Sequence, residues 1–270
     1  MWDFEHEPLQ SQLALRYRID RMTPAECADR LATGAAEIGL VPIAALATNP
    51  GLRILPGCVI ASKGRVRSLL LVRRVGQSLQ EIRSVAADTS SRATLAYTRI
   101  LFRHWGNVGV AFQPAAANLD AMLEQADAAI LIGDPALIAL EERAQRLERT
   151  GEELVYHDMA AEWHALTGLP FVYAVWAVTP KELGAPGLDS ETWDTVAQEF
   201  IQSRDHGLQN IDALAEEWSS RIPIPQATIR AYLTTNIHYI LDEECKEGMR
   251  VFFRMAAETG VLPAYNFKLR

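Results

Sequence analysis

Three short stretches carry the groups best suited to hold a small ligand. They are "ASKGRVRS" at 61–68, "DTSS" at 88–91 and "IGDPAL" at 132–137. Each reads as a turn at the end of an apolar strand. Each offers hydroxyls or backbone N–H groups and few strong acids or bases. A helix start with free N–H groups attracts an anion, worth roughly 0.3–1 kcal/mol when exposed and up to ~2 kcal/mol when partly buried. This chemistry suits carboxylates rather than nucleotides, because no P-loop and no G-x-G-x-x-G pattern is present. Each stretch also has a plainer reading. Thr89 or Ser90 can simply cap a helix, Asp134 can cap a helix beginning at Pro135, and Ser68 can be an ordinary strand residue.

Other reactive types are dispersed. No Ser-His-Asp set follows from spacing, and G-x-S-x-G is absent. The cysteines, at 27, 58 and 245, form no C-x-x-C and read as buried thiols in a reducing compartment. No two histidines share an H-x-x-x-H spacing, and His157 and His164 lack a third ligand, so no metal site is expected. A basic strip runs through Lys63, Arg65 and Arg67 to Arg73 and Arg74. It can gather small anions or form a solvated strand edge. The formal net charge of −8 disfavours nucleic acid, whose phosphates want a basic surface. The opening "MWDFEHEPLQ" is no secretory signal, and no run approaches the ~20 apolar residues of a membrane span. A cytoplasmic, soluble protein is expected.

These turns need a scaffold. "TPAECADRL" has Thr23, Pro24 and Glu26 placed for a capped helix start, with Gly34 able to end the helix. Residues 37–43 read as a buried strand, "LRILPG" and "CVIAS" as two short strands split at Pro56-Gly57, and 68–72 as another. Further strands are expected at 84–88, "VAFQPA", "AAILI", "ELVYHDM" and "FVYAVWAV". They alternate with helices over about 90–103, after Asn118 and from Pro135, which predicts α/β architecture with mostly parallel sheets and flanking helices. Beyond 180 the chain reads as helical, with no strand. Leu233, Ile237, Leu241, Cys245, Met249, Phe252 and Ala256 mark one apolar face of a long helix. The strands near 70 and 174 bracket an inserted α/β unit. The expected plan is therefore two lobes, 1–70 plus 178–270 and 71–177, with a ligand cleft at strand carboxyl ends.

The segments "GAAEIGLVPIAAL", "LRILPGCVIASKGRVRSLLLV", "VAADTSSRATLAYTRILF", "AAILIGDPAL", "EWHALTGLPFVYAVWAV" and "YLTTNIHYILDEECKEGMRVFFRMAAETGVLP" together resemble the chorismate dehydratase family of the futalosine route to menaquinone. The resemblance covers nearly the whole chain. It implies a two-lobed fold like type II periplasmic binding proteins, used as an enzyme without metal or organic cofactor. The implied reaction is loss of water from chorismate, a dicarboxylate, to give 3-[(1-carboxyvinyl)oxy]benzoate. By matching motif, it implies ligand contacts at Ser68, Thr89 and Ser90, then Gly133 and Asp134, with Tyr173 against the ring. It assigns no general base. The family opens with a strand and a Ser-aromatic-Leu-Asn loop ahead of the segment resembling "WDFEHEPLQ", and no residue here inherits that asparagine's role. Activity of this chain is therefore in question, with a start upstream of Met1 as the favoured explanation.

Three rival readings stand beside this one. They are the 1,4-dihydroxy-6-naphthoate synthases of the same route, a non-enzymatic solute-binding protein, and a ligand-sensing regulatory domain. The synthases use a histidine as base, and none lies in the three turns.

Overall fold

In the computed structural model the described residues are 1–87, 92–179 and 190–267. The strands are β1 (Ile38–Pro42), β2 (Arg53–Ser62), β3 (Leu69–Arg74), β4 (Ser84–Ala87), β5 (Ala111–Pro114), β6 (Ala128–Ile132), β7 (Leu154–Asp158), β8 (Phe171–Val178) and β9 (His238–Ile240). The helices are α1 (Gln10–Leu13), α2 (Pro24–Ala32), α3 (Ala44–Thr48), α4 (Arg92–His104), α5 (Leu119–Gln125), α6 (Asp134–Glu141), α7 (Arg143–Thr150), α8 (Met159–Thr167), α9 (Ser190–Gln209), α10 (Ile211–Ser219), α11 (Gln226–Ala231) and α12 (Glu243–Glu258).

Local signals set most of these boundaries. Thr23 Oγ1 accepts the Glu26 N–H while the Glu26 carboxylate accepts the Thr23 N–H, closing a capping box on α2. Gly34 comes next with φ +72°, a conformation glycine adopts freely. Asn118 caps α5 through the Ala121 N–H, and Asp158 caps α8 through the amides of Ala160 and Ala161.

The strands form two sheets, ordered β1-β8-β2-β9 and β5-β4-β6-β3-β7. In the first, every pairing is antiparallel. In the second, β4 runs parallel to β5 and β6, while β3 runs antiparallel to β6 and β7. The expectation of mostly parallel sheets is thus corrected to mixed sheets. Runs such as "SLLLV" are buried on both faces in either direction, so apolar periodicity does not encode polarity.

Sheet membership also moves the lobe divisions expected at 70/71 and 177/178. β3 begins the second sheet at Leu69, and β8 lies wholly in the first. The chain crosses between sheets at 63–68 and again between β7 and β8. Residues 53–62 form one strand rather than two. Pro56-Gly57 makes a break in its register, between Ile54 and Val59, without ending it.

One apolar core runs beneath both sheets, joining Val41, Val59 and Val175 of the first with Leu69, Leu71 and Val85 of the second. Tyr97 of α4 is buried at its centre, 3.5 Å from Phe171 and 4.2 Å from Phe252 between ring centroids. Its hydroxyl donates to the Val172 carbonyl at 2.9 Å. This anchors the helix after the "DTSS" stretch onto β8.

The C-terminal region departs from a single long helix. α12 begins at Glu243, because Asp242 caps it by accepting the Cys245 N–H at 2.9 Å. Cys245, Met249, Phe252 and Ala256 do share its buried face. Leu233, Ile237 and Leu241 lie before it. Leu233 falls in a π-helical turn, Tyr232–Asn236, and β9 comes after it as a strand where none was expected. Apolar spacing continues through the cap, so it cannot reveal the break.

Candidate functional site

Antiparallel register brings the site together. Leu69 pairs with Ile132 and Leu70 with Asp158, so the start of β3 meets the carboxyl ends of β6 and β7. β4 runs parallel to β6, with Ala87 opposite Ile130, so its carboxyl end opens in the same direction. Ser68, Gly133, Asp134 and Asp158 therefore gather at one end of the second sheet, where ligands of open α/β sheets bind.

Ser68 is half-buried at this corner. Its carbonyl accepts the Gly133 N–H at 2.7 Å. Its Oγ accepts the Tyr232 hydroxyl at 3.0 Å. Gly133 has φ +70° and ψ −141°, a conformation essentially restricted to glycine. Its N–H is engaged by Ser68, so it shapes the turn instead of donating to a ligand. Asp134 is exposed and opens α6, whose N-cap is Gly133 with no side-chain cap. The reading of Asp134 as a cap is corrected, because the helix starts at Asp134 itself. Pro135 brings no N–H, and those of Ala136 and Leu137 turn inward to the Gly133 carbonyl. Thr89 and Ser90 lie outside the described residues.

Tyr173 lies on β8, within electrostatic reach of Asp158 and Tyr232. One face of its ring packs on Phe171, with centroids 4.5 Å apart. Its hydroxyl oxygen is buried and has no hydrogen-bond partner among the described residues. Burial holds this phenol well above its ordinary range, and Asp158, Tyr232 and Tyr97 act in the same direction. It is a donor at ordinary pH, and a buried polar group without a partner costs roughly 1–3 kcal/mol.

The 61–68 turn does hold an anion, but the anion belongs to the protein. The buried Asp158 carboxylate accepts the N–H of Val66 at 3.0 Å and of Arg67 at 2.7 Å. Among the described non-glycine residues, Arg67 alone has positive φ, +67°. Its guanidinium pairs with Glu141 at 2.8 Å. Asn236, in the π-turn, donates its side-chain N–H to the Arg65 carbonyl at 3.0 Å. The loop leading to Ser68 is thus gripped from β7, α6 and the C-terminal region together.

Most of the basic strip is likewise consumed. Lys63 lies 2.7 Å from both Asp242 and Glu244. Arg74 pairs with Glu152, and Arg73 donates to His157 Nε2 at 3.0 Å. Arg65 is exposed and has no ion pair among the described residues. Among the described residues the strip therefore supplies one uncommitted cation, three residues before Ser68, not five.

His238, Asp242 and Cys245 bring potential ligand atoms within 4.8 Å of one another, a grouping that sequence spacing hides because the three span β9 and a helix start. It fits a metal poorly. The Lys63 ammonium already sits on Asp242, and burial pushes the Cys245 thiol up to about 12, leaving it protonated. The cysteines are all free.

Sequence reasoning misses Tyr232, Asp158, Glu141 and Asn236. Only "YLTTN", within the last segment of the resemblance, carries a signal for two of them.

A family model described as menaquinone biosynthesis matches residues 2–258. The chain belongs to this menaquinone biosynthesis family. The chorismate dehydratase of Thermus thermophilus is 28% identical to this family member over 256 residues, covering 91% of this chain and 89% of that protein. Among solved structures, a protein of Archaeoglobus fulgidus matches with TM-score 0.67 at 15% identity, covering 89% of this chain and 86% of that one. A Candida albicans protein described as having the generic periplasmic binding protein fold matches with TM-score 0.58 at 13% identity, covering 88% and 78%. This member of the menaquinone biosynthesis family thus has the periplasmic-binding-protein-like fold. No described helix is long and apolar enough to cross a membrane.

Proposed function

We propose that the protein is a chorismate dehydratase, a carbon–oxygen lyase of the futalosine route acting in the cytoplasm. The observation that carries this reading is the buried Tyr173 hydroxyl, without a hydrogen-bond partner among the described residues and within electrostatic reach of Asp158 and of Tyr232, the partner of Ser68. It marks a place for a polar ligand in a site poor in free acids and bases. The similarity to the Thermus thermophilus enzyme points to the same reaction.

In that reaction a ring C–H bond and a ring C–O bond of chorismate break. The proton and hydroxide leave as water, and the ring becomes aromatic. Aromatisation supplies the drive, so the protein has to orient the substrate, stabilise displaced charge and exclude water. Ser68 would donate its hydroxyl proton to a substrate oxygen, and Arg65 would face a carboxylate from the rim. Tyr173 would donate to a second oxygen, with its ring face partly taken by Phe171. Thr89 and Ser90 are proposed as further contacts, and Asp134 as a rim residue. No side chain is assigned as the general base.

The sister synthase is disfavoured by the histidine next to the corner. His157 accepts from Arg73, lies 3.1 Å from Glu162 and packs near Trp105 instead of facing Ser68.

The test is incubation of the protein with chorismate and detection of 3-[(1-carboxyvinyl)oxy]benzoate by mass spectrometry. Product formation supports the reading. Chorismate binding without product would make the chain a binding protein, and neither binding nor product would discard the substrate.

A further inference from the structure

Ser68 needs its proton directed outward if it is to serve a ligand. A serine hydroxyl has one proton and two lone pairs, and it rotates unless something fixes it. Tyr232 supplies the constraint. Its hydroxyl donates to Ser68 Oγ at 3.0 Å, across 164 residues of chain. With one lone pair taken, the Ser68 O–H is turned away from Tyr232. No other hydrogen bond from Ser68 Oγ is present among the described residues.

Tyr232 is itself rigidly placed. Its ring contacts the core beneath both sheets and the smaller cluster of Leu137, Ala215, Ile224 and Ile229. It opens the π-helical turn Tyr232–Asn236, a geometry often kept at functional sites. Four residues on, Asn236 holds the Arg65 carbonyl of the same loop. The two ends of the turn therefore grip the loop at Ser68 and at Arg65.

We propose that Tyr232 is a positioning residue that acts through Ser68, orienting the Ser68 hydroxyl toward the substrate of the dehydration. This rests on the function proposed above. The ring is structural, and the hydroxyl carries the orienting role. Tyr232→Phe keeps the ring and removes only the donor.

The experiment is a double-mutant cycle on chorismate turnover with Y232F, S68A and the double variant, with Tm recorded for each. Y232F is expected to lower kcat/KM about tenfold, the worth of one positioned hydrogen bond, chiefly through kcat and with Tm nearly unchanged. S68A is expected to lower it about 10²–10³-fold. The double variant should match S68A alone, because without Ser68 the Tyr232 hydroxyl has nothing to orient. Losses that multiply, a Y232F variant as active as the wild type, or a Y232F loss tracking a lowered Tm would each overturn the proposal. Wild-type protein that neither binds nor turns over chorismate would show, before any variant is made, that the substrate assignment had failed and this inference with it.

Discussion

The carboxylate of Asp158 accepts the backbone N–H of Arg67 at 2.7 Å and holds it at φ +67°. A left-handed conformation at a non-glycine residue costs about 1–2 kcal/mol. Asp158 offsets this cost while also capping α8, so one side chain fixes a loop and a helix start. Asp158→Ala is expected to lower the unfolding free energy by about 2–4 kcal/mol in urea titration. Turnover should fall further than stability explains, because the loop carrying Ser68 is released. Unchanged stability would show that other contacts hold the loop.

Tyr173 predicts the opposite pairing of effects. Its hydroxyl is buried without a partner among the described residues, so Tyr173→Phe removes a liability from the free protein. The variant is expected to gain up to about 1 kcal/mol of stability by thermal unfolding. It should bind chorismate several-fold more weakly by calorimetry. A variant that loses stability and keeps its affinity would remove Tyr173 from the site.

Arg65 is the uncommitted cation of the basic strip among the described residues. Arg65→Ala is expected to raise KM for chorismate by about three- to tenfold with little change in kcat, as loss of an exposed charge contact does. Wild-type KM should climb with added salt, while the variant's should climb less. Equal salt slopes would place Arg65 away from the substrate.

Asp242 gives a pH signature unrelated to turnover. Burial works against its charge, but the Lys63 ammonium and the Cys245 hydrogen bonds prevail and hold its carboxyl at about 2. His238 Nε2 lies 3.0 Å from the same carboxylate. The folded value is below the unfolded one. This contribution is therefore present above about pH 4 and is lost as pH falls through about 2. The unfolding free energy from urea titration is expected to drop across that window in the wild type by about 2 kcal/mol. Asp242→Asn should be less stable at neutral pH and show a flatter acid limb. A variant whose acid limb matches the wild type would mean that other carboxylates control it.

Much of the fold was legible because local chemistry announces it. The Thr23-Pro24-Glu26 start and the Asn118 cap lie where their residue types predict. The alternation of strands and helices carried the α/β class. Strand direction was not legible, since Leu69–Val72 are buried in either orientation. Pro56-Gly57 looked like a break and proved an irregularity within β2. In the candidate site, the turn that carries Ser68 was legible through its motif. Tyr232, 164 residues away, and Asp158, 91 residues from Arg67, were not. Such pairings arise from sheet register and a chain crossing, which no local spacing records.

The engagement of the Val66, Arg67 and Gly133 amides by the protein itself has a consequence for how the site can change over evolution. Backbone donors recur whatever side chain is substituted, so a pocket built from them resists retuning. In the proposed site, recognition would be left to hydroxyls and a guanidinium, each a single codon away from something else. Such a pocket could drift toward new acids by point mutation while its architecture stays fixed.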